Sequence, residues 1–294
     1  MTLHDTPTHA DSGAPTGATP RRIVWTGAGL PASDGDGVKL TRVIGQPALP
    51  DLDPFLMLDE FGSDDPKAYI GGFPSHPHRG FETVTYMIAG RMRHRDNTGA
   101  EGLLGPGSVQ WMTAGRGIIH SEMPEQAEGL MQGFQLWVNL PAKDKMTAPR
   151  YQDIAAEQVP VVDLGHGATV KIMAGEVAGV RGPVDPGATE PLFIDITLTP
   201  GGVAHIPTPD GHNAFVYVYE GDAKVGEPAE ALARGRIAVL SPGESVTLAS
   251  DKGARLILAA GKPLREPVAK YGPFVMNTEA ELRQAFADFR AGTF

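Results

Sequence analysis

The strongest constraint on this chain is its punctuation. From "RRIVWTGAG" onward, short β-rich runs are cut by Gly, Pro and Asp turns at the spacing of a sandwich or barrel. Glycine (37) and proline (26) make up about a fifth of 294 residues, which suits many strands joined by turns and not a helical bundle. Four runs stand out in the first part: "TVTYMIAG" (83–90), "GSVQWMTAG" (107–115), "GFQLWVNL" (133–140) and "ATVKIMAGEV" (168–177). In the last, Val170, Ile172 and Ala174 alternate with outward positions, as a half-buried strand requires.

A second set follows: "LFIDITLTPG", "NAFVYVYEGDAKVG", "GRIAVLSPGESVTLAS" and "ARLILAAGKPL". "FETVTYMIAGRMRHRD" has the same form as "HNAFVYVYEGDAKVGE", an apolar strand, a Gly turn and a polar return strand. "LLGPGSVQWMTAG" matches "ARGRIAVLSPGES" in the same way. One β-unit used twice predicts an all-β chain of two tandem barrels, joined near residues 140–165. The expected division is a disordered tail at 1–20, a first domain at 21–150 and a second at 151–294. The tail, rich in Thr, Ala, Pro, Gly and Asp, lacks the charged-then-apolar order of a signal peptide, and its His4 and His9 are incidental. At the other end, "NTEAELRQAFADFRAGTF" breaks the β pattern. Thr278 with Glu281 makes a capping box, Leu282, Phe286 and Phe289 recur at helical spacing, and Gly292 stands where a helix would stop. This predicts one amphipathic helix closing the second domain and packed on a barrel wall.

Composition excludes several functions. A net charge of −10 with no Lys/Arg cluster argues against direct nucleic-acid binding. With no cysteine, disulfides, Cys-zinc sites, iron–sulfur clusters and thiol catalysis are ruled out. No apolar run reaches membrane-spanning length, so no membrane role is expected and the expected compartment is the cytoplasm. Any transition metal would have to be held by histidine and carboxylate.

"FPSHPHRGFE" supplies the first half of such a site. Residues i and i+2 of a strand share a face, so His76 and His78 sit side by side with Pro77 turned away. Proline lacks a backbone donor, which places the segment on an edge strand or at a strand's start. About forty residues later "GIIHSEMPE" repeats the spacing with His120 and Glu122. Two such pairs on neighbouring strands give three nitrogens and a carboxylate, a set suited to iron, manganese, nickel, copper or zinc. Glu82 is expected either to support the site through a ligand's other ring nitrogen or to be a structural group, and Arg79 could serve similarly or be a surface charge. His94 in "RMRHRD" and His166 in "LGHGAT" are expected to be exposed. His205 and His212, of opposite parity, form no matching set in the second half.

The stretch "FPSHPHRGFETVTYMIAGRMRHRDNTGAEGLLGPGSVQWMTAGRGIIHSEMPE" resembles the N-terminal cupin domain of the pirin family, and "EPVAKYGPFVMNTEAELRQAFADFRAGTF" is similar to the tail of the same proteins. The resemblance runs from about residue 22 to the C-terminus. It implies two jelly-roll-type cupin barrels, with one mononuclear metal, usually Fe(II), in the first and none in the second. Its implied ligands are His76, His78, His120 and Glu122, with the carboxylate taken from the second pair and not from Glu82. Some pirins resemble quercetin 2,3-dioxygenases, which open a flavonol ring with dioxygen and release carbon monoxide. In that chemistry Glu122 would take the substrate's hydroxyl proton, which requires it to bind the metal weakly or swing away. The alternative the resemblance implies is a redox-sensitive regulator that binds transcription factors or metabolic enzymes without turnover.

Overall fold

The computed structural model describes residues 17–185 and 187–294. Of the tail expected at 1–20, residues 1–16 with His4 and His9 lie outside the described residues. The remainder is fastened down: the Glu244 N–H donates to the Thr19 carbonyl (2.8 Å), and Pro20 forms a parallel bridge with Ser245.

Strands form where β-branched and aromatic residues run between Gly and Pro turns. In chain order they are β1 (Ile23–Ala28), β2 (Leu30–Asp34), β3 (Val38–Ile44), β4 (Phe55–Ser63), β5 (Phe73–His78) and β6 (Phe81–Ala89). There follow β7 (Met92–Asp96), β8 (Glu101–Leu104), β9 (Val109–Thr113), β10 (Ile118–Pro124), β11 (Met131–Asn139) and β12 (Arg150–Ile154). Backbone contacts divide the chain into two compact units. One comprises residues 28–159, 184–190 and 261–294; the other comprises residues up to 27, 160–183 and 191–260.

The first unit holds a seven-stranded sheet in the order β12-β9-β6-β11-β4-β3-β2 and a four-stranded sheet in the order β5-β10-β7-β8. The named neighbours pair antiparallel. β5 is at the edge of its sheet, the position Pro77 demands, while β10 is central and pairs with both β5 and β7. Helix α1 (Glu279–Ala291) has the expected box: Thr278 Oγ1 accepts from the Glu281 N–H (3.2 Å) and Glu281 Oε2 accepts from the Thr278 N–H (2.8 Å). Gly292 ends it in the left-handed region at φ 67°.

Helix α1 lies in the first of these compact units. The preceding ribbon, Ala269–Tyr271 with Phe274–Met276, is bridged to the β5–β6 turn through Arg79 and Phe274. That delivers α1 to the first unit, where Leu282, Ala285 and Phe286 pack on Phe274, Met276 and Ala269. Gly80, at φ +89° in the same turn, allows this approach, since a Cβ there would strike the Val275 carbonyl.

The second unit is one ten-stranded sheet around a core that includes Val170, Ile172, Ile194, Ile196, Val216 and Val218. Its sequence suggests a turn at Gly221, yet Asn213–Val225 is one continuous strand. Phe215–Val218 pairs with Arg236–Val239, and Asp222–Val225 pairs with Glu230–Ala233. Gly221, at φ +67°, bends the strand without reversing it, and the chain turns back only after Val225.

Candidate metal centre

The site is assembled by strand register. β5 and β10 run antiparallel with His120 directly opposite His76 and Ile118 opposite His78, so three imidazoles share one face. Ring centroids are 4.7 Å apart for His76–His78, 4.4 Å for His76–His120 and 5.1 Å for His78–His120. One nitrogen from each of the three rings lies within 4.8 Å of the others.

The chemistry of these rings fits a cation. His76 Nδ1 meets the Pro74 carbonyl at 2.8 Å; a carbonyl only accepts, so Nδ1 carries the proton and Nε2 offers its lone pair. His78 and His120 are buried, and among the described residues neither nitrogen of either ring has a hydrogen-bond partner. Each such buried atom costs about 1–3 kcal/mol if left unsatisfied. Burial, then the neighbouring His120 and His76, hold His78 well below the usual imidazole range; the Pro273 carbonyl opposes this without closing a hydrogen bond. Burial chiefly lowers His120 to about 4, with Glu122 opposing. All four orphaned nitrogens therefore belong to neutral rings at pH 7, the form that ligates a metal. Phe81 and Trp137 pack edge-on against His78, at 5.1 and 5.3 Å, and fix its plane.

Glu122 lies outside this three-ring group. Relative to β5, strand β10 slips between His120 and Glu122, so Glu122 faces Phe73. The slip carries the carboxylate toward the other sheet. There Oε1 accepts from Thr85 Oγ1 and Oε2 from Gln135 Nε2, each at 2.9 Å. Gln135 in turn accepts from the Trp137 indole at 3.3 Å.

Thr85 and Gln135 belong to a polar row that crosses the seven-stranded sheet. Arg42 is opposite Asp59, Asp59 opposite Gln135, Gln135 opposite Thr85, Thr85 opposite Gln110, and Gln110 opposite Asp153. The row is knit by Arg42 to Asp59 at 3.0 and 2.7 Å and by Gln110 to Asp153 at 2.9 Å. His94, expected at the surface, is buried: its Nε2 donates to Asp153 (3.1 Å) and its ring stacks on Tyr151 at 5.3 Å. It stands opposite Glu122 on β7, where Arg93 and Arg95 point outward and even-numbered residues point in.

Glu82 does not support the histidines. β5 ends at His78, the Arg79–Gly80 turn breaks the parity, and Glu82 faces the opposite side of β6 from Thr85. Its carboxylate accepts from Thr113 Oγ1 (2.7 Å) and the Trp111 side chain, while burial raises its pKa. Arg79 is buried and serves the C-terminal segment, not the rings: Nε donates to the Arg116 carbonyl, Nη1 pairs with Asp288 at 2.7 Å, and Phe294 lies under the guanidinium at 4.4 Å. In the second unit His166 is exposed at φ 49°, and His205 Nδ1 meets Thr247 Oγ1 at 3.0 Å.

A cavity of about 580 Å³ opens beside His76 and His78 within the first unit. Leu40, Leu56, Met57, Phe61 and Trp137 give it apolar walls; Gln135, Arg42 and Asp59 from the polar row also line it. None of these wall residues carries a local sequence signal. Among the described residues no helix is long and apolar enough to cross a membrane.

Comparison with known proteins accords with this architecture. The Pirin family model matches residues 37–138, and that of the Pirin C-terminal cupin domain matches 193–294. A Pseudomonas aeruginosa protein provisionally named a quercetin 2,3-dioxygenase is 53% identical over 277 residues, covering 92% of this chain and 97% of the relative. Human pirin is 44% identical over 263 residues, 88% of each chain. A crystal structure of quercetin 2,3-dioxygenase from Acinetobacter baumannii superimposes with TM-score 0.87 at 35% identity, covering 93% of this chain and 98% of that one.

Proposed function

The chain belongs to the pirin family, with two cupin domains, and from that premise we propose that it is a metal-dependent dioxygenase acting on quercetin or a similar flavonol or enediol-type small molecule. The observation that carries the reading is the pairing of three converging histidines, two of them with unpartnered ring nitrogens among the described residues, with a cavity at their side. At about 580 Å³ the cavity is in the size range of small-molecule sites, and this favours turnover over the regulator alternative, which needs no such space.

His76, His78 and His120 would hold the ion, with Glu122 as the fourth ligand when it leaves its present partners. Fe(II) is the proposed ion, the histidine–carboxylate set also admitting Mn, Ni, Cu or Zn. When bound, the metal supplies a redox-capable Lewis acid for reaction with dioxygen. The protein's own contribution is positional and acid–base. Apolar walls take up the flat body of the substrate and exclude water from the histidine end. Glu122, turned toward Thr85 and Gln135, is available as the base that removes the substrate's hydroxyl proton. Gln135 both lines the cavity and holds Glu122, so it fixes the carboxylate with respect to bound substrate.

The test is quercetin consumption with carbon monoxide release by iron-loaded protein, abolished in His78→Ala. Iron-loaded protein that leaves quercetin unchanged over a range of pH would remove the dioxygenase reading.

A further inference from the structure

The cavity wall carries two cationic groups whose hydrogen-bonding capacity is incompletely used. Arg42 spends Nε and Nη2 on Asp59, and Nη2 also reaches Asp34 at 3.2 Å. Among the described residues these bonds leave both N–H groups of Nη1 for a ligand. Lys270, exposed on the cavity-lining segment that follows the second unit's last strand, pairs with no carboxylate among the described residues. Its Nζ reaches the Pro50 and Leu56 carbonyls, at 3.4 and 3.3 Å, the long end of hydrogen-bonding distance. Partial burial lowers its pKa; Asp51 opposes this, and the nearby Arg42 guanidinium adds to it. Asp51 acts on Lys270 from a distance, without closing an ion pair with it.

We propose that Arg42 Nη1 and Lys270 Nζ form an oxyanion subsite of this cavity, which takes a planar, largely apolar molecule bearing a carboxylate or an ionised phenol. The apolar part of such a ligand lies against Leu56, Met57 and Trp137, while the oxyanion accepts from the two cations. The subsite rests on the proposed function only in sharing its cavity. It narrows the substrate class to acidic aromatics, of which acidic polyphenols are one group and aromatic carboxylates another.

The test is a binding measurement that needs no turnover. Isothermal titration of the full-length protein as purified compares 2-naphthoate with neutral 2-naphthamide, and 7-hydroxyflavone with flavone above the phenol's pKa. The first pair reads the carboxylate and the second the phenolate. Wild type is expected to prefer at least one anionic probe by about tenfold, since one charge-assisted hydrogen bond in a partly exposed site contributes that much. Lys270→Met should abolish that preference and Lys270→Glu should invert it. Lys270 is exposed and its carbonyl contacts are long, so both variants are expected to fold, which a thermal midpoint near wild type checks. The inference is overturned if no probe binds, if wild type shows no anion preference, or if Lys270→Met leaves the preference intact, as it would were the anion held at the histidines. Protein that consumes quercetin yet shows no Lys270-dependent anion preference would remove the subsite and leave the dioxygenase reading. A Lys270-dependent preference in protein that never consumes quercetin would do the reverse.

Discussion

Replacing Thr85 by valine removes one hydroxyl from the centre of the polar row and almost nothing else. Thr85 and Glu122 are each 1% exposed, and their bond of 2.9 Å joins a neutral donor to a carboxylate. Valine keeps the branched shape, so no cavity opens; the carboxylate stays buried with Gln135 as its remaining donor. A hydrogen bond to a charged group contributes about 1.5–3 kcal/mol, so metal-free Thr85→Val should lose about 2 kcal/mol. In a Glu122→Gln background the same substitution breaks a neutral bond and should cost about 1 kcal/mol, leaving a coupling of about 1 kcal/mol. Urea denaturation of the four proteins in the cycle, followed by tryptophan fluorescence, measures it. Repeating the cycle with metal bound tests the fourth-ligand role, because a Glu122 that has moved to the ion no longer needs Thr85 and the coupling should shrink. Zero coupling without metal would refute the claim that this bond holds the carboxylate. Equal coupling with and without metal would refute its movement to the ion.

Three further outcomes follow from the same geometry. His78→Ala removes one of three converging nitrogens and should weaken metal binding at least about 100-fold, read as metal per chain after dialysis against a weak chelator. In metal-free protein His120 titrates near 4 when folded and, like any exposed imidazole, at about 6.5 when unfolded. The unfolded chain binds more protons between those values, so stability is complete above about pH 6.5 and falls toward pH 4 by about 3 kcal/mol for this group, measurable as a falling urea midpoint. Phe294→Ala takes the ring from beneath the buried Arg79 and from its contact with Phe274 at 5.3 Å; stability should fall by about 2 kcal/mol, and an unchanged thermal midpoint would show that the C-terminus is not an anchor.

What was legible in the sequence was whatever strand parity and turn chemistry encode locally. His76, His78 and His120 were found because i, i+2 spacing within a strand survives any choice of partner strands, and Pro77 announced the edge position. The Thr278–Glu281 box and the left-handed Gly292 specified α1 from its own residues. The same parity rule, applied to "RMRHRD", would have turned His94 inward between two outward arginines; the charge of its neighbours disguised it. Glu82 shows where the rule stops, since counting parity from His78 is valid only until the Gly80 turn starts a new strand in another sheet.

The partners of Glu122 belong to a different category. Thr85 and Gln135 are fifty residues apart and sit in a row that runs from Arg42 to Asp153, one residue from each of six strands. A one-residue change in any of the five pairings would move a member of that row to the wrong face. No local pattern marks these residues, because each is an ordinary polar side chain in an otherwise apolar strand. Their position is a property of the assembled sheet, and so is the consequence for chemistry. The row holds Glu122, two residues along β10 from His120, through Thr85 and Gln135. For the fourth-ligand role proposed above, a cation at the histidines must outcompete two hydrogen-bond donors to Glu122, each worth about 1.5–3 kcal/mol.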